Sequence, residues 1–126
     1  MNRVLWVAQV FLGVLFLMAG GMKVVVPVDA LAADMVWVTH VPAMAVKAVG
    51  VLEGLGALGL LLPSILRIQP QLTPIAAGGL IATMVSAAGV HVWLGEGAMA
   101  AVPLVLGSVA AFIAWGRAVA VPISAR

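Results

Sequence analysis

Four long apolar blocks constrain the fold of this 126-residue chain more than any other feature. Each block has roughly 18–22 residues, a length that matches the hydrocarbon core of a bilayer when the block is helical. At this length in lipid only helices satisfy all their backbone hydrogen bonds. We therefore predict an all-α bundle of four transmembrane helices, with spans at about 4–22, 44–62, 74–94 and 98–116.

Composition agrees with a membrane protein and excludes several functions. Hydrophobic residues make up 65% of the chain and charged residues only 8%, against about 25% charged in soluble domains. We therefore expect residues 1–126 to form a single integral membrane domain in the lipid bilayer. A net charge of +2 gives no basic patch for nucleic acid. The absence of Cys excludes disulfide chemistry and any Cys-ligated cofactor within this chain.

Local signals predict where the spans begin and end. Pro63 is expected to stop the second span, and Thr73 to cap the third helix, with Pro74 in its first turn. In the 24–43 loop, Asp29 could begin a short helix lying in the membrane interface. The first block could instead be a cleaved signal peptide, although its apolar core is longer than such peptides usually have.

The distribution of cations predicts the orientation. The first, third and fifth segments outside the spans carry four arginines and no acid: Arg3, Arg67, Arg117 and Arg126. The opposite side carries two lysines together with three acids. This bias favours both termini in the cytoplasm. We expect a multi-pass protein of the cytoplasmic (cell) membrane.

Four tryptophans fall near the predicted span ends. Trp6 and Trp115 would lie at the inner interface, and Trp37 and Trp93 at the outer one. Because tryptophan is enriched at both membrane–water interfaces, we predict that all four are interfacial anchors.

Glu53 is the most unusual residue, since it lies in the middle of the second apolar block. Gly50, Glu53, Gly54 and Ala57 share one helix face, and Gly50 and Gly54 form a GxxxG pair. Small residues of this kind mark close packing between membrane helices. We therefore predict that Glu53 points into the bundle, where it is either protonated or paired, and that it is a functional-site candidate.

Candidate partners for Glu53 lie in the other spans. Gln9 and Lys23 lie on nearly the same face of the first span, within about 40° at 100° per residue. A Gln9–Glu53 contact would be structural as easily as functional. Thr83 and Ser86 are predicted to hydrogen-bond to the backbone of their own helix.

His91 lies near the outer end of the third span. It could relay protons, donate a hydrogen bond to a quinone carbonyl, ligate haem or contact lipid headgroups. Glu53, Lys23, His91 and Gln9 are thus the candidates for a ligand or proton site. No ligand spacing indicates a metal site, and His40 is expected to be an ordinary loop residue.

Three segments stand out together: FLGVLFLMAGGMKVVVP, KAVGVLEGLGALGLLLP and LTPIAAGGLIATMVSAAGVHVWLGE. In this order they resemble the DoxX-like family of small four-helix membrane proteins. The resemblance covers nearly the whole chain and includes Lys23, Glu53, Pro63, Pro74 and His91. It implies a link to the quinone pool, through a subunit associated with thiosulfate:quinone oxidoreductase. It carries no catalytic motif that could be transferred to this chain.

Three functions are compatible with these observations. The protein could bind a small apolar molecule such as quinone, alone or with a partner in a redox complex. It could be a proton-coupled transporter of small molecules that uses Glu53. It could also be a structural or assembly subunit in which Glu53 holds helices together. Glycine faces on several helices also predict a homo-oligomer.

Overall fold

The fold is an antiparallel bundle of four long helices. The computed structural model describes residues 1–126 and contains helices but no strands. The long helices are α1 (Asn2–Val25), α3 (Ala43–Leu66), α4 (Leu72–Trp93) and α5 (Ala101–Trp115), and α2 (Val28–Leu31) is short. Four segments are long and apolar enough to cross a membrane: Asn2–Val25, Ala43–Leu66, Leu72–Trp93 and Gly97–Ala120. The predicted all-α four-helix architecture is therefore confirmed.

The two ends of the bundle differ, and each takes its name from a residue that lies there, Lys23 or Arg117. The Lys23 end is where α1 and α4 finish and where α3 and α5 begin. The Arg117 end is the opposite one, where α5 continues into a π-helical segment, Gly116–Ala120. Two short 3₁₀ segments, Val36–His40 and Gly97–Ala100, lie at the Lys23 end.

Two predicted helix boundaries are wrong. Pro63 lies inside α3, which continues to Leu66 and ends at Arg67 in a left-handed conformation, with φ of 58°. A proline removes one backbone hydrogen bond, which at Pro63 is the one to the Gly59 carbonyl, and packing against neighbouring helices can offset that loss. In the same turn of α3, Gln9 Nε2 of α1 donates to the Leu60 carbonyl.

The start of α4 also differs from the prediction. The helix begins at Leu72, and Thr73 does not cap it. The Thr73 hydroxyl instead hydrogen-bonds to Ser64 Oγ on α3 at 2.8 Å. Because both residues are buried, this hydrogen bond gives the Thr73 hydroxyl a partner inside the bundle, and Ser64 Oγ also accepts a hydrogen bond from Gln9 Nε2.

The 24–43 connection forms two short helical segments instead of one interfacial helix. Asp29 lies in the first turn of α2, which begins after Pro27. Leu31 and Val38 are buried and pack with Val46 of α3 in a small apolar cluster. This cluster fastens the connection onto the Lys23 end of the bundle.

The helices form two closely packed pairs. In the first pair, α1 meets α3 at Gly20 and Gly50, where a Cβ on Gly20 would lie 2.5 Å from the Gly50 carbonyl oxygen. In the second pair, α4 meets α5 where a Cβ on Gly107 would lie 3.3 Å from Met84 Cβ. Small residues thus let the backbones approach, as is usual for helices that associate in lipid.

Contacts between the two pairs are concentrated toward the Arg117 end. Leu80 of α4 packs on Gly56 of α3, and Leu5 of α1 packs on Gly116 after α5. The Ser64–Thr73 hydrogen bond lies at the same end. Toward the Lys23 end the pairs leave space between them, and this space forms the cavity described below.

We predict that Gly20→Ala destabilises the bundle by about 1–3 kcal/mol, because the new methyl group would overlap the backbone of α3. Thermal unfolding in detergent measures the effect. Gly21→Ala is the matched control, since a Cβ at Gly21 meets nothing within 4 Å. Equal stability of the two variants would contradict the close α1–α3 contact.

Candidate functional site

Lys23 and Glu53 form a buried ion pair between α1 and α3. Lys23 Nζ lies 2.8 Å from Glu53 Oε2, and the two side chains are only 9% and 5% exposed. Side chains of a helix lean toward its N-terminus. Since α1 and α3 are antiparallel, Lys23 leans into the bundle while Glu53 leans toward the Lys23 end. The helix directions therefore bring the two charges together.

The glycine contact between α1 and α3 supports this ion pair. A Cβ on Gly50 would lie 2.7 Å from both the Gly20 carbonyl oxygen and Lys23 Cβ. Glycine at this position is thus required for the Lys23 side chain to pass. Nearby, Lys47 Nζ donates to the Val24 carbonyl oxygen at 2.8 Å and satisfies the C-terminal turn of α1.

A cavity of about 400 Å³ lies next to the ion pair, between the two helix pairs at the Lys23 end. All four long helices line it, together with residues 34–37 and the 96–99 turn. Its walls are mainly apolar and include Phe16, Met84 and Leu106. The polar groups that line it are Lys23, Asp34, Trp37, Glu53, Thr83, Ser86, His91 and Glu96. Its size falls within the usual range for small-molecule sites, about 300–1,000 Å³.

The Thr83 and Ser86 hydroxyls in this wall are already satisfied. Thr83 Oγ1 donates to the Gly79 carbonyl and Ser86 Oγ to the Ala82 carbonyl, at 3.0 and 2.9 Å. Their predicted hydrogen bonding within their own helix is confirmed. Neither hydroxyl proton is therefore free for a ligand.

His91 and Glu96 line the same cavity, and each carries a buried polar atom without a hydrogen-bond partner. His91 Nδ1 and Glu96 Oε1 are 3.7 Å apart, too far for a hydrogen bond, and neither buried atom has another partner. Their backbones are fixed, since Glu96 N–H donates to the His91 carbonyl at 2.8 Å across the turn at Gly95. Buried polar atoms without partners are rare in folded proteins. Here both atoms are themselves covered, so a molecule in the cavity would reach either one only after its side chain rotated.

Gln9 lies outside the cavity, in a polar network at the Arg117 end. Its amide nitrogen donates to the Leu60 carbonyl at 2.8 Å and to Ser64 Oγ at 3.2 Å. Its amide oxygen accepts a hydrogen bond from Arg117 Nε. The Gln9–Glu53 contact considered from the sequence is therefore absent, and Lys23 is the partner of Glu53.

Arg117 is the residue that sequence reasoning missed. It was counted as a cation outside the membrane, yet only 4% of its surface is exposed. Nη1 donates to Asn2 Oδ1 at 2.8 Å and to the Val121 carbonyl at 3.3 Å, and the guanidinium lies 5.1 Å from the Trp6 ring. A cation–π contact and charge-assisted hydrogen bonds offset part of the cost of its burial without any carboxylate, and Nη2 has no hydrogen-bond partner. The only indication of this buried network in the sequence is Gln9, an amide within an apolar span that requires hydrogen-bond partners.

The predicted tryptophan pairs do lie at opposite ends of the bundle. Trp6 contacts Arg117, and Trp115 packs against Phe112 at the same end. At the Lys23 end, Trp37 lines the cavity and Trp93 packs edge-on against His40. Their role as interfacial anchors stays a prediction. No group of three or more His, Asp or Glu side chains could hold a metal ion.

The bundle and its site define a class: a small multi-pass membrane protein with a partly polar cavity between two helix pairs. The model of the DoxX-like family matches residues 7–113, and the chain belongs to this family. The match includes Lys23, Glu53 and His91 but ends before Arg117. No curated protein and no solved structure matches the chain.

We predict that Lys23→Met costs about 3–5 kcal/mol of stability, because it leaves a buried carboxylate unpaired. Glu53→Met should cost less, since the long Lys23 side chain can extend toward the nearby end of α1. The double variant should recover much of the loss, because an apolar pair replaces both charges. Thermal unfolding in detergent of the four proteins gives the coupling energy.

Lys47→Met controls for the loss of a cation at the same end, where Lys47 has no acidic partner. It should cost less than Lys23→Met. Additive losses in the double variant would show that the ion pair contributes nothing to stability.

We predict that Arg117→Lys destabilises the protein by about 1.5–3 kcal/mol, because a single ammonium cannot replace the guanidinium that bonds Gln9 and Asn2 together. Arg3→Lys, at an exposed position of α1, should leave stability unchanged. The same unfolding measurement compares them, and equal midpoints would exclude a structural role for the Arg117 network.

Proposed function

We propose that this protein binds a small, flat apolar molecule with polar edges in the cavity at the Lys23 end, with quinone as the best candidate. The observation that carries this proposal is the mainly apolar cavity of about 400 Å³, whose wall also holds Lys23, His91 and Glu96. Such a site combines dispersion contacts with a few directional hydrogen bonds, as ligand sites usually do.

The polar groups suit a carbonyl or hydroxyl at the edge of a ring. Lys23 has one hydrogen bond to Glu53, so its ammonium retains donors for a ligand oxygen. His91 can donate or accept through Nδ1 according to its tautomer, and Glu96 can accept. A quinone would receive hydrogen bonds, and a hydroquinone would also donate one.

Participation in a redox complex would require a partner. No side chain on the cavity wall carries electrons between a substrate and the quinone, so a cofactor or another subunit would supply that step. The residues of this chain would hold the ring and donate or accept protons at its oxygens. We therefore propose a quinone-binding subunit.

The transporter alternative is less favoured by the geometry. A coupling proton that binds Glu53 would have to displace Lys23, because these charges are already joined at 2.8 Å. The structural alternative is favoured by one observation, namely that the ion pair lies beside the Gly20–Gly50 contact. Filling the cavity while leaving the ion pair intact separates a structural role from ligand binding.

We also propose that the protein lies in the cytoplasmic membrane, with its Arg117 end facing the cytoplasm. Three exposed arginines lie at this end, Arg3, Arg67 and Arg126, and no acidic residue accompanies them. Excess Lys and Arg on one side is the usual signal for the cytoplasmic side. Apolar surface on all four helices leaves room for self-association within the membrane.

We predict that a benzoquinone with the ring substituents of ubiquinone and no tail (the tailless quinone) quenches tryptophan fluorescence, since Trp37 lines the cavity. Ala87→Phe, which fills the cavity from α4, should weaken binding roughly tenfold, or about 1.4 kcal/mol. Titration of the purified protein in nanodiscs measures both.

Ala82→Phe is the matched control, because Ala82 is exposed on the same helix and does not line the cavity. It should bind the tailless quinone as the unaltered protein does. Saturable quenching that is equal in all three proteins would place the quinone elsewhere, and no saturable quenching would contradict the proposed function.

A further inference from the structure

The cavity borders an apolar groove on the lipid-facing surface of α1. Leu15 and Ala19 line both the cavity and this groove. The rest of the groove is formed by Val10, Phe11, Val14, Met18 and Met22, so every residue that lines it is hydrophobic. The two spaces therefore lie on either side of the same two side chains.

The length of the groove matches one leaflet of a bilayer. Its residues run from 10 to 22, which corresponds to about 18 Å along a helix. Half of a hydrocarbon core is about 15 Å. A hydrocarbon chain that begins at the Lys23 end could thus lie along α1 as far as the middle of the bilayer.

The polar groups lie beyond one end of the groove, as the headgroup lies at one end of a lipid. Lys23 comes directly after the last groove residue, Met22, and His91 lies in the last turn of α4 at the same end. The groove itself contains no polar side chain. Polarity therefore falls from the Lys23 end toward the middle of the membrane, as it does from headgroup to tail.

We propose that the ligand is a head-and-tail molecule, whose polar ring occupies the cavity and whose hydrocarbon tail passes Leu15 and Ala19 into the groove on α1. This inference rests on the proposed function and adds the class of ligand and its route. The molecule reaches its site sideways from the bilayer, past Leu15 and Ala19 of α1. Its tail remains in contact with lipid throughout.

A photoreactive probe tests the position of the tail. The probe is the same quinone ring with a hydrocarbon tail that carries a diazirine, and labelled peptides are identified by mass spectrometry after irradiation in nanodiscs. We expect labelling of the peptide that contains residues 10–22. Excess tailless quinone should reduce this labelling several-fold, because it occupies the cavity and displaces the head.

A matched pair of variants localises the effect on α1. Val14→Trp fills the groove and should reduce labelling several-fold, while it leaves binding of the tailless quinone unchanged. Val7→Trp makes the same change at a lipid-facing position outside the groove and should leave labelling intact. Unchanged tailless binding also shows that the Val14→Trp protein is folded.

The outcomes separate this inference from the proposed function. If the tailless quinone binds in the cavity but the label appears on other helices, the tail proposal is wrong and the proposed function stands. Groove labelling that the tailless quinone cannot reduce would indicate ordinary lipid contact and would also overturn the inference. If the tailless quinone does not bind at all, the proposed function itself fails.

Discussion

The buried ion pair between Lys23 and Glu53 is the interaction on which the rest of the structure depends. A carboxylate near the middle of an apolar helix is costly in a membrane, so its partner must come from a packed neighbour. The close approach at Gly20 and Gly50 lets Lys23 be that partner. A shift of α1 along α3 by one turn would separate both charges in hydrocarbon, so the pair also fixes the register of these helices.

The hydrogen bonds that stabilise the bundle lie at one end, and the proposed binding site lies at the other. At the Arg117 end, hydrogen bonds through Gln9, Ser64 and Arg117 join α1, α3, α4 and the segment after α5. The Lys23 end instead holds the cavity. Buried polar atoms without a partner occur at both ends, His91 Nδ1 and Glu96 Oε1 at this one and Arg117 Nη2 at the other. Because the closed network holds the helices at one end, the other end can remain open. Binding sites are generally drawn from such less stable regions.

Much of the fold can be predicted from the sequence, because the length of each apolar block and the spacing of its glycines can be read within a single helix. These patterns gave four helices and an inward-facing Glu53. The wrong predictions, at Pro63 and Thr73, came from local rules that contacts with a second helix overrode. The burial of Arg117 and the cavity depend on how the two helix pairs meet. No periodicity within one helix reports that geometry.

The setting of the cavity gives a physical reason for selectivity over ordinary lipid. The apolar atoms that line the cavity lack packing partners on that side. Any hydrocarbon chain that entered from the lipid-facing groove could supply those contacts. Lipid tails cannot hydrogen-bond to the polar residues Lys23, His91 and Glu96 on the cavity wall. A ring with polar edges can contact the apolar wall and hydrogen-bond to those residues as well. A hydrogen bond to a buried polar group offsets the free energy that the group loses when water is removed from it. These few polar groups therefore favour binding of such a ligand over the surrounding lipid.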